Sequence, residues 1–86
     1  MSDTSKEFTV TITSPDERLW EGQAHSITTE NSKGPFDILP GHANFITMIK
    51  GKPLTIRTGG KPYQIFNYKS FVLAVNSGKV SIYADI

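Results

Sequence analysis

Apolar and polar side chains alternate with a period of two along most of this sequence, and that pattern confines the chain to β-structure. Phe8, Val10 and Ile12 alternate with Thr9, Thr11 and Thr13, residues suited to a strand with one dry and one wet face. Leu54 and Ile56 flank Thr55 in the same way, and Val80, Ile82 and Ala84 are separated by Ser81 and Tyr83. No long stretch carries the competing helical period. Turn formers punctuate the runs at Ser14-Pro15-Asp16, Gly22, Asn31 to Pro35, Pro40-Gly41-His42, Gly51-Lys52-Pro53, Gly59-Gly60 and Asn76-Ser77-Gly78. Their spacing is close to the roughly 8–12 residues of a sandwich or barrel. The pattern predicts strands near residues 8–14, 36–39, 44–50, 53–58, 61–68, 71–76 and 79–84, with shorter strands filling 18–30. Gly59-Gly60 suits a type I′ hairpin turn. The runs Phe45 to Ile49 and Phe71 to Val75 are apolar on both faces, which predicts central strands covered on each side.

At 86 residues, 37% of them hydrophobic and 20% charged, the chain has material for one small core and not for two. It reads as a single all-β domain over residues 8–86, preceded by a polar, flexible N-terminal segment, residues 1–7. That segment has no basic region leading into an apolar core, so the expectation is that the mature chain starts here. The longest apolar run, Phe71 to Val75, is far short of the about 20 residues that span a bilayer. The absence of cysteine excludes disulfides, thiolate nucleophiles and Cys-based metal sites. His25 and His42 lack HxxxH or HExxH spacing, so no metal is expected.

Catalytic templates fail in turn. There is no GxSxG elbow, and Gly60-Lys61 is followed by Pro62 where a phosphate loop needs Ser or Thr. Asp16 and Glu17 sit in a solvated Pro-Asp-Glu turn, where a carboxyl keeps its ordinary acidity. His42 could serve as a base, a ligand or a hydrogen-bonding prop, and without a nearby Ser, Cys or paired carboxylate the residues favour a prop or contact residue. Trp20, in uncertain register beside Leu19, reads as a core or interface anchor.

Residues 1–49 carry three Lys/Arg against seven Asp/Glu and residues 50–86 carry six against one, so the halves are −4 and +5 within a total of +1. Such asymmetry can mark a nucleic-acid surface. The near-neutral total favours instead two halves of one domain whose charges face each other. Tyr63, Phe66, Tyr68 and Phe71 lie near Lys61 and Lys69, as in modules that stack bases, but Tyr63 has the opposite parity to Phe66 and Tyr68, so they form no single platform. No nucleic-acid partner is expected.

The segment Gly34-Pro35-Phe36-Asp37-Ile38-Leu39-Pro40-Gly41-His42-Ala43-Asn44-Phe45-Ile46-Thr47 closely resembles the signature of the epsilon subunit of F-type ATP synthases (delta in mitochondria), Gly-x-x-Gly/Asp-apolar-apolar-Pro-Gly-His-Ala. The resemblance extends upstream through Thr13-Ser14-Pro15-Asp16 and Trp20-Glu21-Gly22, and downstream through Leu54 to Arg57 and Val80 to Asp85. It implies a ten-stranded β-sandwich of two facing sheets, a non-catalytic foot of the rotor's central stalk in a proton- or sodium-translocating enzyme. Its implied partners are the gamma subunit and the ring of c subunits, and it would meet the membrane only through the complex, on the cytoplasmic face of the cell's inner membrane. Positions matching family contacts to gamma are Ser14, His42 and Thr47, and those facing the ring are Asn31, Ser32, Lys33, Gly34, Pro35 and Phe36. Many members carry an acidic residue where Pro35 stands and Gly where Asp37 stands, and Lys33 or Asp37 is the expected substitute for that polar contact. Tyr68-Lys69-Ser70 replaces a family Gly-Gly pair. The family's C-terminal helical hairpin has no counterpart after Ile86, so neither inhibition by such helices nor ATP or another cofactor is expected. A free-standing β-sandwich adaptor or a single-strand-binding module is the alternative.

Overall fold

A computed structural model of the chain describes residues 6–59 and 63–85. Every regular element among them is a strand. In chain order these are β1 (Phe8–Thr13), β2 (Arg18–Ala24), β3 (Ser26–Asn31), β4 (Gly34–Ile38), β5 (Phe45–Lys50), β6 (Leu54–Arg57), β7 (Gln64–Phe66), β8 (Ser70–Asn76) and β9 (Lys79–Asp85). They form two facing sheets, one ordered β2-β1-β9-β8-β5 and the other β4-β3-β6-β7. The sandwich is as expected, with nine strands among the described residues where the resemblance implied ten.

Alternation builds the core directly. Val10 and Ile12 of β1, Leu73 of β8 and Ile82 of β9 point inward from the larger sheet and meet Ile27, Ile38, Leu54 and Ile56 from the smaller one, all fully buried. All pairings are antiparallel except β1 with β9, which is parallel and sets the first and last strands side by side within the sheet. The chain changes sheets at His25, where its N–H donates to the Arg57 carbonyl at 2.7 Å, so β2 and β3 lie in different layers.

Several expectations are corrected. Residues 18–30 hold two full strands, because β2 pairs with β1 over its length and β3 with both β4 and β6. The Leu19/Trp20 register could not be read because a bulge interrupts the pairing: Ile12 opposes Trp20 while Thr13 opposes Arg18, leaving Leu19 as the extra residue. Both side chains therefore pack on the core. Trp20 also folds back over Gly22, where an added Cβ would lie 2.9 Å from the indole. The strand expected over 61–68 is only Gln64–Phe66, and Gly60, Lys61 and Pro62 lie outside the described residues, as do residues 1–5 of the expected flexible segment.

The largest correction concerns β5. Expected to be central and covered on both faces, it is the terminal strand of its sheet. Only Ile49 on it is buried, whereas Ile46 is 73% exposed and Met48 54%. β8 lies inside the sheet, and its outward Val72 and Ala74 are half-buried. Two pieces of the chain's opposite charge do meet, since Lys52 Nζ lies 3.8 Å from a Glu30 carboxylate oxygen.

Candidate docking surfaces

Cross-strand register assembles an apolar surface on the outside of the five-stranded sheet. Ile46 opposes Ala74, Met48 opposes Val72, and Val72 opposes Tyr83 on β9. Cross-strand partners on one face are about 5 Å apart, so these five side chains are contiguous. Tyr83 is 55% exposed, comparable to Met48. Contiguous exposed apolar side chains are the feature of a soluble domain that needs an explanation, whereas isolated ones do not.

The three candidate gamma contacts are spread around this surface. Ser14 closes the β1–β2 turn: its Oγ accepts from the N–H groups of Asp16 and Glu17 and donates to the Glu17 carbonyl. It also lines a shallow hollow beside Tyr83 with Thr13, Pro15 and Ala84. His42 belongs to the β4–β5 connection at the other end of the sheet, where Asn44 Oδ1 accepts from the Ser77 N–H at 3.0 Å. Its Nδ1 lies 2.8 Å from the Ala43 carbonyl oxygen, to which it donates, and its ring rests 5.6 Å from that of Phe45. Thr47 turns the other way and accepts a hydrogen bond from Asn31 Nδ2 at 3.1 Å. Ser14 and His42 thus bracket the apolar face from opposite ends, and Thr47 ties β5 to the second candidate region.

That second region, Asn31 to Phe36, is a tight hairpin rather than a loop. Asn31 opposes Gly34 and Glu30 opposes Pro35, leaving Ser32 and Lys33 as the turn. Asn31 Oδ1 accepts from the Lys33 N–H at 2.9 Å, an Asx turn that closes it from within. Gly34 sits at φ 120°, a conformation open to glycine and strained for other residues. Pro35 is tolerated because β4 is an edge strand, so its missing N–H costs no ladder bond. Phe36 faces inward and meets Phe45 edge-on at 5.6 Å. Ser32, Lys33 and Pro35 are the exposed members of the six.

The outside of the four-stranded sheet is organised differently. Arg57 Nη1 donates to Thr28 Oγ1, which donates to Asp37 Oδ1, each at 2.7 Å. The Arg57 guanidinium also lies 5.8 Å from the centre of the Tyr63 ring. Asp37, one of the expected substitutes for the family's acidic contact, is therefore engaged on this face.

Five residues, Ile46, Met48, Val72, Ala74 and Tyr83, were not reached by reading the sequence as candidates. Their signal was present as the double-sided apolar character of residues 45–49 and 71–75. Among the described residues no three His, Asp or Glu side chains converge as a metal site would require. Burial pushes up the titration of the Tyr68 phenol.

The chain is thus a two-sheet β-sandwich with a row of apolar side chains on one outer face and an exposed hairpin at its edge. The ATP synthase delta/epsilon chain β-sandwich domain matches residues 7–86, and the chain belongs to that family. An ATP synthase epsilon chain of Corynebacterium jeikeium is 30% identical over 80 residues, covering 92% of this chain and 65% of its own length. One of Geobacter metallireducens is 31% identical with 94% and 53% covered, so the chain spans about half to two thirds of these relatives. One of Frankia casuarinae, 29% identical, is covered over 89% of its length. Among solved structures, a chain of the Euglena gracilis mitochondrial ATP synthase, resolved with its c-ring, superposes over 96% of this chain with a TM-score of 0.84 at 21% identity.

Proposed function

We propose that this chain is a non-catalytic rotor component of an F-type ATP synthase, holding the gamma subunit and resting on the ring of c subunits so that rotation passes between them. The observation that carries the reading is the contiguous apolar face of Ile46, Met48, Val72, Ala74 and Tyr83, bracketed by Ser14 and His42. Burying exposed apolar surface is worth about 25 cal/mol per Å², and coupling a shaft to a ring calls for a large, partly apolar contact rather than a chemical step. We assign this face to the gamma subunit. The Asn31 to Phe36 hairpin, braced by its Asx turn and by Thr47, is assigned to the ring. In this reading the chain is peripheral, on the cytoplasmic face of the inner membrane, and touches the membrane only through the complex.

Co-purification tests the proposal. Tagged chain at native level should bring down the gamma subunit and the ring, and the association with gamma should persist in high salt because its contact is mainly apolar. Failure to associate with gamma at any salt concentration contradicts the reading. Binding to single-stranded nucleic acid that falls steeply with salt, without gamma, would favour the alternative module.

A further inference from the structure

The β4–β5 connection, residues 39–44, carries His42 yet belongs to neither sheet. It turns on itself at Gly41, φ 84°, where the His42 N–H donates to the Leu39 carbonyl at 3.1 Å. A local turn of this kind fixes the shape of a segment but not its place on the protein. Two contacts place it. One is the His42 ring against Phe45, its near neighbour in the chain. The other is long-range: Asn44 Oδ1 accepts from the Ser77 N–H at 3.0 Å, 33 positions away.

Ser77 is an unusual donor. Asn76 opposes Lys79, so Ser77 and Gly78 form a two-residue turn, and their φ values of 50° and 80° are both positive, as a type I′ hairpin turn requires. Among the described residues Ser77 is the one non-glycine with positive φ, a conformation that Gly, Asn or Asp adopts more readily. Strained backbone of this sort persists where its surroundings hold it. Here they hold it from two sides, since the Thr9 N–H donates to the Gly78 carbonyl at 3.3 Å while Asn44 takes the Ser77 N–H. The turn is thus fixed to β1, and the His42 connection is fixed to the turn. This clamp adjoins the docking face: Asn44 and Asn76 line a shallow hollow with Ile46 and Ala74.

We infer that Asn44 is a positioning residue for gamma binding, clamping the β4–β5 connection to the β8–β9 turn so that His42 is held at the end of the apolar face. The inference rests on the rotor reading and adds to it the means by which His42 is presented in one place. One such hydrogen bond favours the clamped arrangement by roughly two- to tenfold. Apparent affinity for gamma falls in proportion to the fraction of chains whose connection is in place.

Calorimetric titration of the full chain with purified gamma tests this, using Asn44→Ala, Asn44→Asp, His42→Ala and the Asn44→Ala, His42→Ala double variant. Amide hydrogen exchange at Ser77 is followed in the free chains. Asn44→Ala should weaken gamma binding about fivefold and speed Ser77 exchange by a similar factor, at a nearly unchanged melting temperature. Asn44→Asp keeps the accepting oxygen and should restore both. The double variant should bind no more weakly than His42→Ala, because the clamp has nothing left to position once the imidazole is gone. Full additivity of the two substitutions, or failure of Asn44→Asp to restore affinity while it restores slow exchange, would make Asn44 a direct contact and overturn the positioning role. Unchanged Ser77 exchange or unchanged gamma affinity in Asn44→Ala would overturn the clamp and leave the rotor reading standing. Wild-type chain that binds no gamma would sink the rotor reading, and the positioning role with it, before any variant is compared.

Discussion

The two outer faces of the sandwich solve the same problem in opposite ways. On the four-stranded sheet, Thr28 links Arg57 to Asp37, and Arg57 lies over Tyr63, so the polar groups are satisfied within the chain and the ring is partly covered. Ile65 and the Tyr63 ring remain exposed there, at 52% and 59%. On the five-stranded sheet, Ile46, Met48, Val72, Ala74 and Tyr83 adjoin across three strands with no charged group interposed among them. The first face links its polar groups within the chain, while the second presents a row of apolar side chains across three strands that gains free energy when another surface covers it. This difference, more than any single side chain, is the reason the proposed partner is placed on one face.

The comparison is sharpest within β5, whose neighbouring positions face in opposite directions. Ile49→Ala removes a fully buried side chain and should cost about 2–5 kcal/mol in denaturant unfolding. Ile46→Ala, three positions away on the outer face, should change stability by no more than about 0.5 kcal/mol in the isolated chain. Equal costs would mean that the outer face already belongs to the chain's own core. On the four-stranded sheet, Thr28→Val removes the hydroxyl that links Arg57 to Asp37 and should cost about 0.5–1.5 kcal/mol, with gamma binding unchanged. Loss of gamma binding in that variant would move the docking face to the wrong sheet.

The smallest expected effect is a pH dependence. Burial raises the Tyr68 pKa above its ordinary value of 10.0. The native state then keeps the phenolic proton to higher pH than the unfolded chain. The associated stability is whole below about pH 10 and is lost as pH rises through the folded-state pKa. Unfolding followed between about pH 9 and 11 should show this decline in wild type, and Tyr68→Phe should flatten it.

How far the sequence could be read follows from what each pattern depends on. β1 and β9 were legible because one face of each is buried by the chain itself, so Phe8, Val10, Ile12, Val80 and Ile82 alternate with polar residues. β5 was misplaced because Phe45 to Ile49 shows apolar side chains on both faces, and periodicity does not say whether the second face is covered by the same chain or by another. The Asn31 to Phe36 segment looked like a loop because its residues are turn formers. Pairing with β3 extends it into a strand at Gly34, a tertiary effect that local composition does not carry. Ser14 and His42 were reachable only through the family signature, since a turn-closing serine and a loop histidine have no distinguishing pattern of their own.

The central claim is that the apolar face of the five-stranded sheet holds the gamma subunit. Calorimetric titration of purified gamma with wild-type chain and with an Ile46→Ser, Met48→Ser variant tests it most directly, alongside thermal melts of both. The account predicts an unchanged melt and affinity reduced by roughly thirtyfold or more, the effect of losing about 2 kcal/mol at the centre of an interface. Undiminished affinity in a folded double variant would contradict it.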